Sequence, residues 1–505
     1  MRKAWIAVIL LAPVAGVAWF QARRAGKLAD GSFLIPTGQR LTPAGAHIEV
    51  ADRPLGMSFS PDGKQLAVAT GSNFAPRALH LIDAAEARLR QTLPVGDSFV
   101  GVAFSPTGEE LYVGGGREHD VKIFRRREDG SFAPEARIQI PGAAPSGLAL
   151  TPDGKRLFVA LNLKHAVARI DLATHEASEL ESGSFPYTVV AAGGKMYVSN
   201  WGGRKPLPGD RTDGAFPVVL DERGIPASGT VTAFDADSGK RVADIDVGLH
   251  PSAMCVDARR GRLYVANANS DTVSVIDTRA DRVVETIRVG PFDGAPLGSS
   301  PNALALSPDG GTLYVANAAN NAVAVVGVRS GKARVEGFIP TGWYPAAVAL
   351  DKGGKRLWVA SGYGFGSVAP LPEGRTGRSY RDRAGVVSVL DVPGARELAR
   401  MTRQVLDNNR DQSAQPARPK SGHPVPMHRG QASPIRHVFY IIKENRTYDQ
   451  VFGDLPQGNG DPSLVHFGRE VTPNHHALAE QFVLLDNYYA PGDQSALGHR
   501  WCTQG

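Results

Sequence analysis

The chain has 505 residues, which is too long for one ordinary domain and predicts two or more. Hydrophobic residues make up 42% and charged residues 21%, as in soluble globular proteins with a full core. The net charge of +6 favours anionic ligands, but it is spread without a basic stripe, so we expect no nucleic-acid partner. The cysteines, Cys255 and Cys502, are too few for a disulfide framework or a cysteine-based zinc site.

Residues 1–25 have the charge layout of an export signal. A basic start is followed by the apolar run Ala4 to Phe20, and then by Arg23 and Arg24. The apolar run is short for a membrane span and long for the core of a signal peptide. We therefore predict a signal peptide or an uncleaved signal anchor, and a periplasmic or cell-envelope location. A buried N-terminal helix is the alternative.

A turn followed by a short apolar strand recurs seven times between residues 50 and 400. The turns are Ser60–Gly63, Ser105–Gly108, Thr151–Gly154, Ala192–Gly194, Ala258–Gly261, Ser307–Gly310 and Asp351–Gly354. Their interval is roughly 45 residues, with one longer gap before the fifth turn, and it is typical of repeat architectures.

Each repeat shows the same order of elements. A strand that begins with proline, such as Pro301–Leu306, leads into the turn, and three more strands follow. Four antiparallel strands at this period predict a propeller blade. The repeats resemble the YVTN-type β-propeller family over residues 45–405. We therefore predict a mainly β fold with a seven-bladed β-propeller, in which His47–Val50 completes the last blade and closes the ring.

Two repeats carry insertions, Gly202–Ser228 and Gly362–Ala384. In a propeller such insertions form loops on a rim, where they contact a ligand or a cell-envelope partner, or are simply solvated. Five histidines are scattered through the repeats without metal-ligand spacing, and we interpret them as surface or hydrogen-bonded residues. They are His80, His119, His165, His175 and His250.

The periodic pattern stops in residues 406–433, whose polar, proline-rich composition predicts a linker. The apolar run Ile435–Ile442 then predicts a strand buried on both faces of a parallel sheet. The elements expected next are a helix over Asn474–Phe482, a strand over Val483–Tyr489, and a turn over Gly492–His499 that leads into another helix. Residues 434–505 are therefore expected to be the N-terminal part of an α/β domain.

The run Lys443–Asp449 is similar to the Glu-Asn-Arg-[Ser/Thr]-[Phe/Tyr]-Asp signature of the phosphoesterase family that includes phospholipase C and acid phosphatases. That family belongs to the alkaline phosphatase superfamily. The tract Asn474–His499 also resembles the phosphoesterase half of fused propeller–phosphoesterase proteins. The resemblance implies that Glu444 and Asn445 are metal ligands and that Ser495 is the catalytic nucleophile. Ser495 rests on its position and on the local Gly-Asp-Gln-Ser turn alone.

The oxygen donors of Glu444 and Asn445 suit a divalent metal ion, which could be Zn, Mg, Mn or Ca. Such an ion would lower the pKa of the Ser495 hydroxyl and stabilise charge on phosphoryl oxygens. Local alternatives are also open. Thr447 and Gln450 have the spacing of a capping box, and Ser495 fits a helix N-cap. Three nearby histidines fall outside the motif positions: His475, His476 and His499.

The superfamily takes its remaining metal ligands from later segments than Gly505. We therefore predict that this chain is a C-terminally truncated fragment, without activity, of an exported metal-dependent phosphoric ester hydrolase with a propeller binding module. The alternative is a propeller scaffold or binding protein of the cell envelope with a non-catalytic tail. A redox propeller holding haem or copper lacks the Cys-His motifs that it would need. The phosphate ester itself, whether monoester, diester or phospholipid headgroup, stays open.

Overall fold

The structure is a computed structural model that describes residues 25–72, 76–292, 294–295, 297–329, 332–366, 384–409, 424–425, 433–486, 488, 495, 498–499 and 502. The predicted export signal and most of the second insertion lie outside these residues. The chain divides into two compact units. The larger unit is Gly26–Ile35 with Arg40–Asn409, and the smaller one includes Pro36–Gln39 and the residues after 409. No helix in the described ranges is long and apolar enough to cross a membrane.

The described residues of the larger unit form one three-stranded sheet and seven four-stranded antiparallel sheets. The three-stranded sheet contains β1 (Gly26–Lys27), β2 (Phe33–Leu34) and β3 (Arg40–Leu41). Strand β4 (Ala46–Val50) comes next in the chain and belongs to the last of the larger sheets.

Blades 1 to 6 each use four strands that are consecutive in the chain. Blade 1 has β5 (Pro54–Phe59), β6 (Gln65–Thr70), β7 (Ala78–Asp83) and β8 (Arg88–Pro94); blade 2 has β9 (Val102–Phe104), β10 (Glu110–Gly114), β11 (Asp120–Arg126) and β12 (Phe132–Gln139); blade 3 has β13 (Pro145–Leu150), β14 (Arg156–Leu161), β15 (Ala166–Asp171) and β16 (Ala177–Glu181). Blade 4 has β17 (Ser184–Ala192), β18 (Lys195–Gly203), β19 (Gly229–Asp235) and β20 (Arg241–Val247); blade 5 has β21 (Pro251–Asp257), β22 (Arg262–Asn267), β23 (Thr272–Asp277) and β24 (Arg282–Arg288); blade 6 has β25 (Pro301–Leu306), β26 (Thr312–Asn317), β27 (Ala322–Gly327) and β28 (Arg334–Pro340).

Blade 7 joins two distant parts of the chain. It contains β29 (Pro345–Leu350), β30 (Arg356–Ser361), β31 (Gly385–Asp391) and, as its outermost strand, β4. The pairing of β31 with β4 includes Val387 opposite Ile48. The first strands of successive blades contact one another in an unbroken circle that returns from β29 to β5. The sheets therefore form a closed ring with the first strands around a central channel, and the prediction that His47–Val50 completes the last blade is confirmed.

The hydrophobic core lies between neighbouring blades. Phe158 of blade 3 packs with Met196 and Val198 of blade 4, and Trp358 of blade 7 packs with Leu66 of blade 1. The second strand of each blade lies between two strands of its own sheet and between two neighbouring blades, which explains why its apolar residues are fully buried. The seven turns predicted from the sequence all connect a first strand to a second strand.

A hydrogen bond that repeats around the ring links neighbouring blades at one end of the channel. In four blades the residue just before the third strand has a positive φ. Its side chain accepts a hydrogen bond from a backbone N–H in the next blade, and that N–H belongs to the residue directly before a proline. The pairs are His119 with Ala144, His165 with Phe185, Asp271 with Ser300, and Asn321 with Tyr344. We call these contacts the interblade latches. His80 is also hydrogen-bonded, to Ala51 N–H and Thr92, and His175 is exposed, so the interpretation is confirmed for four of the five histidines.

Helix α1 (Ala395–Asn409) was not predicted from the sequence. It contacts β28, and Leu398, Met401 and Val405 are buried on one side of it. Their spacing of three and four residues is that of an apolar helix face. The first residues of the segment predicted as a linker are therefore helical, because α1 continues to Asn409.

The smaller unit contains short helices, α2 (Tyr448–Phe452) and α3 (Pro473–Gln481). Helix α3 confirms the predicted helix, and Thr447 and Gln450 form the predicted capping box. The strand predicted over Ile435–Ile442 is wrong: the segment has no regular structure, and Phe439 is 90% exposed. The strand predicted over Val483–Tyr489 is likewise missing from its described residues. Neither run has a neighbouring strand among the described residues, so backbone and apolar side chains have nothing to pair with or pack against.

Candidate functional site

The residues implied as metal ligands lie on the surface of the smaller unit. Glu444 and Asn445 are exposed, and Glu444 Oε2 lies 3.0 Å from His499 Nε2. Ser495 is exposed and helical. In the described part of the chain no three His, Cys, Asp or Glu side chains come close enough together to hold a metal ion. Among the described residues, Glu444 and His499 are therefore not joined by a third such side chain.

The other histidines of this unit have local partners. His476 is fully buried, with Nε2 2.8 Å from Asp454 Oδ1 and Nδ1 2.9 Å from the Thr472 carbonyl. The hydrogen bond from His476 is the main cause that holds the pKa of Asp454 below its usual value. His475 Nε2 lies 2.9 Å from Lys443 Nζ. His476 therefore attaches α3 to the segment after α2, which is a structural role.

A cavity of about 490 Å³ lies at the end of the propeller channel where the interblade latches lie. Blades 7, 1, 2 and 3 line it through the residues before their first strands and the loops between their second and third strands. The lining includes Arg53, Arg77, Asp97, Phe99, Arg117, Ala144, Asn162, Tyr344 and Tyr363. We call this cavity the channel mouth. Its volume is in the range of small-molecule sites.

Asp97 fixes two of the arginines of the channel mouth. Its Oδ1 lies 3.1 Å from Arg77 Nε and its Oδ2 lies 3.3 Å from Arg117 Nε. The same carboxylate accepts backbone N–H groups from Ser98 and Arg117. The side chains of Asp97 and Arg77 are only 9% and 14% exposed, so their ion pair is shielded from water, whereas the Arg117 side chain is 67% exposed. Asp97 thereby contacts both guanidinium groups at the rim of the cavity.

A buried lysine supports Asp97 from behind. Lys122 Nζ donates to the Asp97 carbonyl at 2.9 Å and to Asp120 Oδ1 at 2.7 Å, and it lies 2.9 Å from Glu118 Oε2. Asp120 is completely buried and is also 3.4 Å from Arg137 Nη1. The charges of this second layer, two cations and two anions, cancel. The layer therefore orders the loop that carries Asp97 without adding net charge to the channel mouth.

Aromatic rings form the side of the channel mouth at blade 7. The Arg53 guanidinium lies 5.4 Å from the centre of the Tyr363 ring, a cation–π contact. Tyr363 packs in turn against Trp343 and Tyr344. Burial raises the pKa of Tyr344, whose hydroxyl is hydrogen-bonded to Ser300 and Asn302, so this phenol stays protonated at neutral pH.

A second group of rings borders the first. Trp201 is stacked between Tyr187 at 4.0 Å and His250 at 4.8 Å, and Phe99 meets both Tyr187 and Trp201 edge to face. Burial lowers the pKa of His250 to about 4, so its ring is neutral at pH 7. Both faces of Trp201 are occupied, which makes this group a rigid wall rather than a stacking platform for a ligand.

The first insertion lies at the same end of the ring, between β18 and β19. Phe216 of the insertion packs on Phe185, and Ser184 Oγ donates to the Pro217 carbonyl. Arg204 and Asp210 hold its base through a bidentate ion pair. The sequence predicted a rim loop here, and the structure places it on the rim beside the wall of rings.

Sequence reasoning did not identify the channel mouth. A signal was present, because Arg53, Ala144 and Tyr344 each directly precede the proline that starts a first strand. His250 and Ser300 occupy the same position in blades 5 and 6. These non-glycine residues have φ between 47° and 61°, an uncommon backbone conformation that concentrates at functional sites. Arg77, Asp97 and Arg117 come from loops of unequal length and carry no such repeat signal.

The comparisons with known proteins agree with the ring. Residues 254–363, in blades 5 to 7, match the family described as "Lactonase, 7-bladed beta-propeller". The chain is similar in structure to "Kuenenia stuttgartiensis Hydrazine Synthase", with a TM-score of 0.52, 18% identity, and coverage of 70% of this chain and 99% of that one. "Structure of U3-55K" has a TM-score of 0.51, 12% identity and coverage of 68% and 99%. "Crystal structure of RRP9 WD40 repeats" has a TM-score of 0.51, 12% identity and coverage of 69% and 99%.

At these identities the structural likenesses establish the fold alone, a mainly β propeller. No curated protein matches the chain. The lactonase match includes none of residues 434–505, so these comparisons provide no support for a phosphoesterase domain there.

Proposed function

We propose that this protein is a propeller binding protein that takes a small molecule at the channel mouth. The observation that supports the proposal is the cavity itself, about 490 Å³ in volume and lined by polar, charged and aromatic side chains that other residues hold in place. A concave site with a few fixed polar groups is the usual form of a ligand pocket. The pocket also lies where loops from four blades converge on a rigid ring, which is where propeller loops can vary without disturbing the fold.

A blocking substitution tests this proposal. Gly362 lines the channel mouth, and a Cβ there would meet atoms only at 3.5 Å or more, so Gly362→Phe adds a ring at the cavity without a clash at its base. Gly353→Phe is the matched control on the same blade, in a turn between β29 and β30. We expect compounds that raise the melting temperature of the wild-type chain to lose the effect in Gly362→Phe and keep it in Gly353→Phe. Lactones belong in the compound panel because of the family match. Equal responses in both variants would remove the channel mouth as the binding site.

The second proposal concerns the smaller unit. We propose that residues 434–505 are part of a metal-dependent phosphoesterase in which Glu444 and Asn445 bind a divalent ion and Ser495 attacks a phosphate ester. The similarity of Lys443–Asp449 to the phosphoesterase signature supports this, and so does the contact between Glu444 and His499. The whole protein would then join a binding propeller to a hydrolase.

We expect the 505-residue chain to show no hydrolysis of p-nitrophenyl phosphate with Zn, Mg, Mn or Ca, because its described residues assemble no three-ligand site. Turnover that Glu444→Gln or Ser495→Ala abolishes would contradict the expected inactivity while supporting the assigned residues. Turnover that survives both substitutions would overturn the assignment of Glu444 and Ser495.

Export to the periplasm or cell envelope, and contact with an envelope partner through the propeller, remain proposals from the sequence. Cell fractionation with an antibody to the propeller tests the first. Mass measurement of the mature N-terminus distinguishes a cleaved signal from an anchor. Recovery of the protein in the cytosol with its first residues intact would contradict export, and with it the contact with an envelope partner.

A further inference from the structure

We infer that a pocket between blades 5 and 6 binds a carboxylate, which a small organic acid or an acidic side chain of a partner protein supplies. The pocket has a volume of about 250 Å³, and Arg262 and Tyr264 are part of its lining. It lies where second strands begin and third strands end, which is the end of the ring opposite the channel mouth. We call it the blade 5 pocket. The inference does not depend on the channel mouth or its ligand, because it rests on a comparison between neighbouring blades.

The first residue of a second strand regularly bonds to the next blade. In four blades its side chain donates a hydrogen bond to the turn between the third and fourth strands of that blade. The pairs are Gln65 with the Gly130 carbonyl, Arg156 with Asp237, Lys195 with Asp281, and Arg356 with the Ala85 carbonyl. We call these contacts the interblade bridges. In each of them an acceptor oxygen of the next blade meets the donor.

The bridge between blades 4 and 5 contains a carboxylate. Asp281 accepts from Lys195 Nζ through one oxygen and from the Tyr197 hydroxyl, at 2.6 Å, through the other. The Asp281 side chain is only 13% exposed, so both hydrogen bonds are largely shielded from water. A cation and a phenol two residues apart on a second strand therefore form a carboxylate site in this fold.

Blade 5 repeats the two donors without the carboxylate. Arg262 and Tyr264 have the positions in β22 that Lys195 and Tyr197 have in β18. Arg262 pairs with Asp277 of its own blade, and it makes no hydrogen bond or ion pair to blade 6 within the described ranges. The ring of Tyr264 is buried, yet its hydroxyl is hydrogen-bonded to none of the described residues. Burial raises the pKa of Tyr264 to about 12, so this hydroxyl keeps its proton at neutral pH and can donate it.

The rest of the lining sets the size and the strength of binding. Three valines form its apolar part, which suits a short carbon chain: Val275, Val284 and Val328. Three arginines also line the pocket, and each pairs with an aspartate: Arg260 with Asp257, Arg262 with Asp277, and Arg329 with Asp309. Glu285 lines the pocket without a cation of its own and accepts the Ala333 N–H at 2.8 Å. Directed donors therefore select the ligand, while Glu285 opposes it, and we expect a dissociation constant in the millimolar range.

Relaxation of ¹³C-labelled probes in the presence of the full chain measures binding in this range. The probes are acetate and its neutral counterpart acetamide, with sodium chloride holding the ionic strength constant. We expect acetate to bind about tenfold or more tightly than acetamide, because only acetate offers a charged acceptor to Arg262 and Tyr264. Acetamide that binds as well as acetate would overturn the carboxylate class.

A single hydroxyl locates the site. We expect Tyr264→Phe to weaken acetate about tenfold, the usual effect of losing a hydrogen bond to a charged group. Without acetate, the variant should unfold in urea like the wild type, because the hydroxyl bonds none of the described residues. Tyr314→Phe is the matched control, since Tyr314 has the same position in β26, where Thr312 replaces the cation. Unchanged acetate affinity in Tyr264→Phe, or an equal loss in Tyr314→Phe, would overturn the inference.

Glu285→Gln tests the opposing charge. Removing a like charge from the lining should tighten acetate severalfold and leave acetamide as it was. Weaker acetate binding in this variant would contradict a carboxylate in the blade 5 pocket.

The neighbouring blade provides an independent test. Asp281→Gly removes the carboxylate of the bridge, and glycine tolerates the φ of 48° at this position. We expect a lower melting temperature, which acetate partly restores and acetamide does not. Absence of this rescue would overturn the comparison on which the inference rests.

A peptide distinguishes the two sources of the carboxylate. The probe is Gly-Asp-Gly with both ends blocked, so that the aspartate is its one charge. Tighter binding of this peptide than of acetate would assign the carboxylate to a partner protein. Binding no tighter than acetate would assign it to a free small acid.

Discussion

The propeller and the segment after residue 433 contain apolar runs of similar composition, and only those of the propeller form strands. Val265 in β22 is completely buried, whereas Val438 is 81% exposed. Each propeller strand has hydrogen-bonded neighbours on the same sheet and a second sheet against its face. The run Ile435–Ile442 has neither among the described residues. An apolar strand pattern therefore indicates a strand only when the rest of the sequence supplies the strands beside it.

The largest effect that we expect tests this comparison directly. Phe158→Ala, in the core between blades 3 and 4, should lower the free energy of unfolding by about 3–5 kcal/mol, since a fully buried ring leaves a cavity. Phe439→Ala, in the smaller unit, should change it by less than about 0.5 kcal/mol. Urea unfolding followed by far-UV circular dichroism measures both. A comparable loss for the two variants would mean that the exposed run is packed in solution.

Ion pairs give a second contrast. Lys122→Met leaves the fully buried Asp120 carboxylate without its closest cation, and we expect a loss of about 3 kcal/mol. Arg469→Met breaks the ion pair with Glu480 in the smaller unit, where both side chains are about one-third exposed or more, and should leave the free energy of unfolding nearly unchanged. The same urea titrations measure the free energy of unfolding of both variants. An unchanged free energy of unfolding in Lys122→Met would show that the second layer contributes nothing to stability.

Acidification from pH 7 to pH 5 should destabilise the propeller and leave the stability of the smaller unit unchanged. Burial lowers the pKa of His80 to about 4, so the unfolded chain binds a proton below pH 6.5 that the folded propeller excludes. The contribution of neutral His80 to the free energy of unfolding is complete above pH 6.5 and falls steadily down to about pH 4. At pH 5 it has fallen by about 2 kcal/mol. The lowered pKa of Asp454 preserves its stabilising contact until the pH falls below about 3.8.

Thermal melts at pH 7 and pH 5 measure the loss, and His80→Gln should reduce the difference between them. Hydrogen exchange of α3 at the same two pH values, corrected for the intrinsic rate, should stay unchanged. A wild-type propeller as stable at pH 5 as at pH 7 would contradict the role given to His80.

The smallest expected effect is local. Thr447→Ala removes the N-cap of α2 and should raise the exchange rates of the α2 amides by the equivalent of about 1 kcal/mol. Amides of the propeller should exchange as before. A change spread over both regions would show that the smaller unit is more tightly coupled to the propeller than its local contacts suggest.

The sequence predicted the ring in detail because its signals were local and repeated. The turn after each first strand, and strands such as Thr272–Asp277, match the structure residue for residue. The closing strand β4 was found because one apolar segment was left over before the first repeat. Helix α1 was missed, although Leu398, Met401 and Val405 have helical spacing, because it follows directly on the last blade without a capping signal.

The channel mouth could be predicted only in part. Residues such as Arg53 and Tyr344 directly precede a proline at a position that repeats from blade to blade. The ion pair between Arg117 and Asp97 joins two loops that only the fold brings together, so the sequence does not indicate it. His119 and His165 of the interblade latches are hydrogen-bonded, as predicted. Their partners in the next blade could not be predicted from the sequence. The metal ligands Glu444 and Asn445 and the nucleophile Ser495 remain predictions, because the contact between Glu444 and His499 does not by itself identify a metal site.

The outer strand of blade 7 also has a consequence for how the protein reaches its native state. His47 on β4 contacts Ser388 on β31 at 3.0 Å, across 341 positions of the chain. Joining segments this far apart costs about 5 kcal/mol of chain entropy, while the other pairings within blades span a few tens of residues at most. Blades 1 to 6 can therefore form as an open arc during synthesis, with an uncovered apolar blade face at each end and with β4 and the outer edge of β31 unpaired. Until β4 pairs with β31, these two strands can pair with another chain and the uncovered faces can pack against one, so the interval before ring closure is the time when this protein is most prone to aggregate.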